Sequence, residues 1–397
     1  MTATNGPAPA ADRDYDLVLL GATGFTGQLT AAYLANHLGD GPTRWALAGR
    51  DRERLAALAA RLPNLPAIEV VDTGDLVGLL ELAARTRVIA TTVGPYLRHG
   101  ELVVQACVRA GTHYLDVTGE PAFVDLLLSR YDADARRGGV KLVNCCGFES
   151  VPPDLGASFT VGQLPDDAPL TVRGYLHVRM RPSGGTIATV LDGSAHRRRA
   201  SSVPAPLPGG RPIARLATGI HRVAELDAWA VPLPTIDTDV VLRSAQVLEG
   251  YGSRVRYGHH LLMRHLPAAV AGLAGAGIAG AATRFPPTRS LLARALPSPG
   301  EGPDEASRAR SWFQLTFLGE GGGQRVVTRV SGGEPGYETT AVTLGEAARL
   351  LVDGAGPDVA GVLTPAVALG TAYRDRLAAA GLTFEVLAGP DAPGHPA

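Results

Sequence analysis

Residues 17–27 of the chain read Leu-Val-Leu-Leu-Gly-Ala-Thr-Gly-Phe-Thr-Gly. The apolar start is typical of a buried strand, and residues 25–38 follow with apolar residues at helical spacing. Gly21 lets the chain turn sharply, Gly24 lets the backbone approach a pyrophosphate, and Gly27 lets the helix pack on the strand. Although a glycine-rich turn that binds nothing has similar composition, the strand–turn–helix context predicts a dinucleotide phosphate loop at the positive end of a helix.

The end of the second strand indicates which dinucleotide is bound. An NAD enzyme usually places an acid here to hold the ribose 2′-hydroxyl, but this chain has Gly49 and Arg50. A guanidinium can hold a 2′-phosphate through two charge-assisted hydrogen bonds, so we predict NADP(H) as cofactor. Asp51 follows directly and leaves NAD open, while Arg52 and Arg54 are interpreted as a solvated helix face.

Alternating strand and helix patterns define the fold class. Residues 14–155 contain six apolar strands with intervening helices, which predicts a Rossmann-type doubly wound parallel sheet of strand order 3-2-1-4-5-6. Residues 156–340 predict a second, α+β domain with an antiparallel sheet, because 171–180 alternate in polarity and 311–332 resemble a hairpin. Residues 341–385 predict C-terminal helices that pack back on the body.

The predicted cofactor site follows from the rule that ligands lie at the carboxyl ends of parallel strands. Asp72 lies at the end of the third strand, where its carboxylate can either lie near the adenine of the cofactor or cap the next helix. The complete predicted set is Gly21, Ala22, Thr23, Gly24, Phe25, Thr26, Gly27, Gly49, Arg50, Asp72, Thr92, Gly94 and Pro95.

Three residues are candidates for moving a proton. Tyr96 follows the fourth strand and carries a donor hydroxyl, but it can also serve only to pack against the ribose. Glu120 and Glu149 can each stay protonated in an apolar cleft, or accept backbone N–H groups at a helix start. Asp154 is interpreted as a first-turn acid, and His113 and His177 as structural.

Composition excludes several function classes. A formal net charge of −1 gives no general attraction to nucleic acid. Lys141 is the only lysine and has no tyrosine four residues before it, which argues against a Tyr-xxx-Lys dehydrogenase. The three cysteines lack zinc-ligand spacing, so we predict no metal site. The first residues lack the apolar core of a signal peptide, and together with the few cysteines this favours a cytoplasmic protein. Cys145 and Cys146 are interpreted as small buried residues at a strand end.

Two segments of the second domain are candidates for contacts with an acyl substrate or with the protein that carries it. Residues 266–282 are 17 residues without charge, too short and too rich in Ala and Gly for a membrane span. They suit a core helix, an interfacial helix in peripheral contact with a membrane, or a lid over an acyl tunnel. The basic run 196–200 suits either a solvated loop or a docking patch for an acidic carrier protein.

The chain resembles the saccharopine dehydrogenase-like oxidoreductases, and most closely their trans-acting enoyl reductase branch. The matching segments run through nearly the whole chain in order, apart from 197–300; they include GATGFTG (21–27), LAGRDRERL (47–55), TTVGPYLRHGELVVQAC (91–107), GTHYLDVTGE (111–120), CGFESVPPDLG (146–156), GEGP (300–303), FLGEGGG (317–323), GGEPGYETTAVTLGEAA (332–348) and GVLTPAVALG (361–370).

The resemblance implies an NADPH-dependent reductase of a carbon–carbon double bond on a polyketide or lipid-type acyl substrate, free or bound to a carrier protein. Two alternatives remain open at this stage. One is a saccharopine-type amino-acid dehydrogenase, for which Arg173, Arg179 and Arg181 would form the substrate's arginine cluster. The other is a non-catalytic NADP-binding scaffold at a lipid surface.

Overall fold

The computed structural model describes residues 13–38, 41–180, 210–233, 235–267 and 303–389. The chain forms two compact units, and each is built from two separate segments. Unit 1 comprises Met1–Phe148 and Tyr337–Ala380, and unit 2 comprises Glu149–Gly336 and Gly381–Ala397. Two of the boundaries between the units therefore lie between Phe148 and Glu149 and between Gly336 and Tyr337. The domain limits at residues 155 and 340 stay a prediction.

Unit 1 is a seven-stranded, fully parallel sheet in the order β14-β6-β5-β4-β1-β2-β3. Its strands are β1 (Tyr15–Leu20), β2 (Trp45–Gly49), β3 (Ala67–Val70), β4 (Thr86–Thr91), β5 (His113–Asp116), β6 (Lys141–Val143) and β14 (Gly361–Leu363). The predicted order 3-2-1-4-5-6 is confirmed, and β14 extends it by one strand that the sequence patterns did not indicate. The prediction that all six strands are buried is wrong for β3, because this strand lies at the sheet edge with Ala67 and Val70 exposed.

The helices of unit 1 follow the strands as expected for right-handed crossovers. They are α1 (Phe25–Leu38), α2 (Arg52–Ala59), α3 (Leu76–Ala84), α4 (Tyr96–His99), α5 (Glu101–Ala110), α6 (Pro121–Arg130), α7 (Asp132–Arg137), α11 (Glu338–Val352) and α12 (Pro365–Ala379).

The packing of α11 shows why the C-terminal segment belongs to unit 1. This helix lies against α1, β1, β4 and β5. A Cβ on Gly345 would lie 2.5 Å from the Tyr33 ring, so the glycine lets the two helices approach closely. The Tyr33 hydroxyl donates to Glu346 Oε1 at 2.6 Å across the same contact.

Unit 2 is a mixed sheet in the order β15-β13-β12-β7-β11-β10-β9, with β8 also paired to β11. Its strands are β7 (Pro169–Arg179), β8 (Ile213–Arg215), β9 (His221–Val223), β10 (Ala228–Pro232), β11 (Arg254–Met263), β12 (Trp312–Gly321), β13 (Gln324–Gly332) and β15 (Thr383–Ala388). Its described helices are α8 (Val151–Val161), α9 (Asp237–Val247) and α10 (Glu305–Ala309), plus a 3₁₀ turn at Ala224–Leu226.

The predicted hairpin of β12 and β13 is confirmed by antiparallel pairing from Phe313–Gly332 to Gly321–Gln324. The strand β7 is only partly as expected, because it is antiparallel to β12 but parallel to β11. The alternation of residues 171–180 puts Tyr175 on the same face as Arg173 and His177, yet Tyr175 is buried. Its ring stacks on His260 with centroids 5.2 Å apart, so aromatic packing rather than strand alternation decides its position.

The helix α8 packs on β7, β12 and β13 at a position that only glycine permits. A Cβ on Gly156 would lie 2.3 Å from the Phe317 ring and 2.9 Å from Val330. We expect Gly156→Ala to destabilise unit 2 by about 1–3 kcal/mol, because the overpacked helix must move off the sheet. The measurement is the midpoint of thermal unfolding followed by tryptophan fluorescence.

The matched control is Gly162→Ala at the end of the same helix, where a Cβ would meet only ordinary contacts of 3.5 Å or more. If Gly156→Ala unfolds at the same temperature as this control, the close packing of α8 described here is incorrect.

Candidate functional site: the dinucleotide loop of unit 1

The predicted phosphate loop connects β1 to α1 in unit 1. A Cβ on Gly27 would lie 2.2 Å from the Gly21 carbonyl oxygen and 2.9 Å from the Ala22 backbone. Gly21 has φ +85°, a conformation that side chains rarely adopt, and a Cβ there would lie 2.6 Å from Val93. The two glycines are therefore required by the backbone itself, and they hold the start of α1 directly against the end of β1.

Gly24 differs from its two neighbours because it is exposed. A Cβ there would touch only the Gly21 carbonyl, at 3.4 Å. The following residues Phe25, Thr26 and Gly27 form the first turn of α1, where backbone N–H groups lack intrahelical acceptors. Open space above Gly24 and outward N–H groups at a helix start are what a pyrophosphate requires.

Arg50 lies exposed at the end of β2 and makes no ion pair with any residue that the structure describes. Its neighbour Asp51 is occupied, since its carboxylate accepts from Arg54 N at 3.0 Å as the cap of α2. Asp51 is thus committed to the helix, which leaves Arg50 as the side chain at this strand end that suits a 2′-phosphate.

Arg54 was interpreted as part of a solvated helix face; it is exposed on α2, and it also makes a contact that the interpretation did not include. Its guanidinium donates to the Thr23 carbonyl oxygen at 3.3 Å, so it spans from α2 to the phosphate loop. The signal in the sequence was its position in the first turn of α2, three residues after the Asp51 cap.

Asp72 at the end of β3 is exposed, and its carboxylate accepts from Gly74 N at 2.8 Å within a turn. The reading of Asp72 as a helix cap is wrong, because Asp75 caps α3 through Val77 N and Gly78 N. Its assignment to the adenine end of the cofactor stays a prediction.

The end of β4 supplies the opposite wall of the loop. Thr92 donates through its hydroxyl to the Gly21 carbonyl at 3.1 Å, and the exposed Gly94 and Pro95 follow through a cis peptide bond. Tyr96 is buried, and its hydroxyl donates to the Thr91 carbonyl at 3.1 Å. Because this proton is committed inside unit 1 and burial raises the pKa of the phenol, the geometry favours a packing role for Tyr96.

Glu120 stabilises the same wall. Its two carboxylate oxygens accept from Tyr96 N at 2.7 Å and Leu97 N at 2.9 Å, at the start of α4. Both carboxylate oxygens are therefore occupied by backbone donors. The geometry therefore matches the structural alternative for Glu120 rather than a proton donor.

Below this wall, Asp116 ties the ends of β5 and β6 together. Its buried carboxylate accepts from Thr118 N at 3.0 Å, Cys145 N at 2.9 Å and Asn144 Nδ2 at 2.6 Å. Burial raises the pKa of Asp116 to about 6 although these donors oppose the shift. Cys145 has φ +64°, so this network holds a conformation that a side chain disfavours.

Glu149, the third candidate acid, lies in unit 2 just before α8 and is half-buried. Burial raises the pKa of its carboxyl. Asp154 lies in the first turn of α8, as expected. Sequence reasoning missed a second carboxyl in this unit, Asp237 at the start of α9, which is buried and whose Oδ2 atom lies 3.8 Å from His259 Nε2 on β11.

Two of the three arginines expected for an amino-dicarboxylate substrate, Arg173 and Arg179, lie among the described residues. Arg173 forms an ion pair with Glu320 at 3.0 Å, and Arg179 ends β7 in an exposed position. Arg181, the basic run 196–200 and residues 268–282 lie outside the described residues.

The remaining expectations concern small buried groups. All three cysteines are buried, which agrees with the interpretation of Cys145 and Cys146 as small buried residues. His113 accepts from Lys141 N at 3.1 Å, which is a structural contact. Within the described ranges, the structure contains neither a group of three metal-ligating side chains nor a helix long and apolar enough to cross a bilayer.

The parallel sheet and the glycine loop define a dinucleotide-binding oxidoreductase. A family model described as the saccharopine dehydrogenase NADP binding domain matches residues 17–143. The trans-acting enoyl reductase of Mycobacterium tuberculosis (strain H37Rv) is 34% identical over 94% of this chain and 98% of its own length. That of Mycobacterium ulcerans is 33% identical with the same coverage.

A further protein of M. tuberculosis, whose name includes the same words, is 36% identical over 95% of this chain and 98% of its own length. Among solved structures, apo saccharopine dehydrogenase from Saccharomyces cerevisiae superimposes with a TM-score of 0.57 at 15% sequence identity. The alignment covers 94% of this chain and 100% of the yeast chain. The chain belongs to the trans-acting enoyl reductase family of saccharopine dehydrogenase-like oxidoreductases, and its cofactor is NADP(H).

The loop provides a test that separates binding from folding. We expect Gly24→Ala to weaken NADPH binding by about tenfold or more while the thermal midpoint stays within about 2 °C, because its methyl group occupies only the space for the pyrophosphate. Gly27→Ala should lose both binding and stability, because its methyl group meets the Gly21 carbonyl. Titration by NADPH fluorescence and thermal unfolding measure the two effects. Full NADPH affinity in Gly24→Ala would place the pyrophosphate elsewhere.

The cofactor preference is tested at Arg50. We expect Arg50→Ala to weaken NADPH binding by about 10- to 100-fold and NADH binding by less than about twofold, because only NADPH carries the 2′-phosphate. Arg52→Ala is the matched control on the same segment. Equal losses for both dinucleotides would rule out Arg50 as the 2′-phosphate ligand.

Proposed function

We propose that this protein is an NADPH-dependent enoyl reductase that saturates a carbon–carbon double bond on a polyketide or lipid-type acyl substrate. The proposal is carried by the open space at Gly24 together with the exposed Arg50, which has no ion pair within the described part of the chain. The mycobacterial relatives of this chain are named for the proposed activity. A dinucleotide with a 2′-phosphate fits these residues, and when bound it supplies a hydride to the substrate.

Residues of unit 1 would hold the cofactor in this proposal. Gly21, Gly24 and Gly27 give the pyrophosphate access to the N–H groups at the start of α1. Thr92, Gly94 and Pro95 form the wall at the end of β4, and Asp72 lies at the adenine end. Ala22, Thr23, Phe25, Thr26 and Gly49 complete the proposed set.

The reaction also needs a proton at the second carbon of the double bond. Tyr96 and Glu120 were sequence candidates, but the hydroxyl of Tyr96 serves Thr91 and the carboxylate of Glu120 serves α4. Glu149 is the remaining candidate of the three, and burial raises the pKa of its carboxyl. Within this proposal we assign the proton donation to Glu149.

The substrate is proposed as an acyl thioester, free or presented by a carrier protein, at a lipid surface or in solution. The experiment is to follow NADPH oxidation by the purified full-length chain with a series of α,β-unsaturated acyl thioesters. We expect turnover with these and none when saturated thioesters of equal length replace them.

Two outcomes would contradict the proposal. NADP⁺ reduction driven by an amino acid would instead support a saccharopine-type dehydrogenase. NADPH binding without turnover on either substrate class would support a scaffold that binds the cofactor only.

A further inference from the structure

Several backbone segments of unit 1 are tied to one buried carboxyl group at the carboxyl edge of its sheet. Asp116 is fully buried at the end of β5. Its Oδ1 atom accepts from Thr118 N at 3.0 Å and from Cys145 N at 2.9 Å, and its Oδ2 atom accepts from Asn144 Nδ2 at 2.6 Å. Its backbone carbonyl accepts from Cys146 N at 2.7 Å. One residue therefore fixes the ends of two neighbouring strands, β5 and β6.

The turn after β6 adopts a conformation that needs such support. Cys145 has φ +64°, in the left-handed region that residues with a side chain disfavour. The turn is also held by α11, because the Thr343 hydroxyl donates to the Cys146 carbonyl at 2.8 Å. Phe148 N donates to the Thr340 hydroxyl of the same helix at 3.1 Å. Backbone strain of this kind persists only where the surrounding contacts enforce it, and it concentrates at functional sites.

A chain of hydrogen bonds leads from Asp116 to the predicted cofactor wall. Thr118, whose N–H group is held by Asp116, accepts from Glu120 N through its hydroxyl at 3.1 Å. The Glu120 carboxylate in turn accepts from the first two N–H groups of α4, which begins directly after Pro95. The position of Pro95 therefore depends on the carboxylate of Asp116 through two intermediate residues.

The phosphate loop and Arg50 indicate which half of the cofactor belongs at these strand ends. A dinucleotide crosses such a sheet at the point where the strand order reverses, which is between β1 and β4 in unit 1. Arg50, at the end of β2, suits the 2′-phosphate of the adenosine half on one side of β1. The nicotinamide half then belongs on the other side, at the ends of β4, β5 and β6.

We propose that Asp116 is a positioning residue for the nicotinamide half of the cofactor. Its carboxylate fixes the backbone at the ends of β5 and β6 and, through Thr118 and Glu120, the start of α4. The inference rests on the placement of the cofactor in the proposed function. It gives Asp116 no contact with the substrate and no proton to transfer.

The experiment compares two ligands that share the adenosine half. NADPH carries the nicotinamide, whereas 2′-phospho-ADP-ribose has the same 2′-phosphate and pyrophosphate without it. We expect Asp116→Asn to weaken NADPH binding by about tenfold or more, because the new amide group turns a donor toward the amide of Asn144. Binding of 2′-phospho-ADP-ribose should weaken by less than about twofold. Titration calorimetry measures both affinities, and the exposed Asp125→Asn on α6 is the control that removes an equal charge.

A second set of variants tests the strained turn. In the Asp116→Asn background, Cys145→Gly should recover NADPH affinity by about fivefold or more, since glycine adopts φ +64° without a side-chain penalty. Cys145→Ala removes the same thiol but keeps the penalty, so it should recover nothing. A general loss of packing at this position would not distinguish the two replacements.

A third measurement needs only the wild type and Asp116→Asn. Burial raises the pKa of Asp116 to about 6, and a protonated carboxyl is a poorer acceptor for its three N–H donors. The ratio of NADPH affinity to 2′-phospho-ADP-ribose affinity should therefore fall by about threefold or more as the pH is lowered from 7.5 to 5. The 2′-phosphate also titrates in this range, but it cancels in the ratio because both ligands carry it.

The other titratable groups of the elements around Asp116 are the phenols of Tyr96 on α4 and Tyr114 on β5, the Cys145 thiol and the Glu120 carboxylate. Burial raises the pKa of both phenols, so neither changes charge between pH 5 and 7.5. A ratio that does not change with pH in Asp116→Asn would assign the pH dependence of the wild type to Asp116 itself.

The outcomes separate this inference from the proposed function. Equal losses for the two ligands in Asp116→Asn, equal effects of glycine and alanine at position 145, or a wild-type ratio that is independent of pH would overturn the positioning role. Enoyl reduction by the wild type would be untouched by these results. If Asp116→Asn does not fold, the wild-type pH measurement decides.

Two results would concern the proposed function. A wild type that binds NADPH but reduces no enoyl thioester would overturn the proposed function and leave the positioning role to be judged by the affinity ratios. A wild type that binds neither ligand would overturn both.

Discussion

The contact on which unit 1 depends is the approach of α1 to the end of β1 at Gly27. No side-chain atom fits between this residue and the Gly21 carbonyl, since even a methyl carbon would lie 2.2 Å from the oxygen. This approach fixes the direction in which α1 leaves the sheet and therefore where its unsatisfied N–H groups point. Arg54 reinforces the arrangement from α2 by donating to Thr23, and Thr92 does so from β4 by donating to Gly21.

Polar groups at the carboxyl edge of unit 1 serve mainly to hold its backbone. Glu120 fixes the start of α4, Asp116 joins β5 to β6, and the Tyr96 hydroxyl is tied to the end of β4. Because their hydrogen bonds go to the backbone of unit 1, these groups shape the edge of the sheet at which the cofactor site is predicted.

The sequence predicted the parallel sheet of unit 1 well, because apolar strands and the glycine loop are local signals. It missed β14, because three residues are too few to carry a pattern, and β15, because none of its six residues is buried. In the site, spacing predicted Gly21, Gly24, Gly27 and Arg50 as ligand positions. It did not predict Asp237 or the burial of Tyr175, because both depend on β11, a partner distant in the chain.

The interleaved assembly of the two units has a consequence for how the chain is made. The sheet of unit 1 is completed by β14, which leaves the ribosome only after the whole of residues 149–336. Unit 2 in turn gains its edge strand β15 only after the second segment of unit 1 has been made. Each sheet therefore waits for a strand that is made after residues of the other unit, and the β6 and β13 edges stay unprotected until β14 and β15 are synthesised.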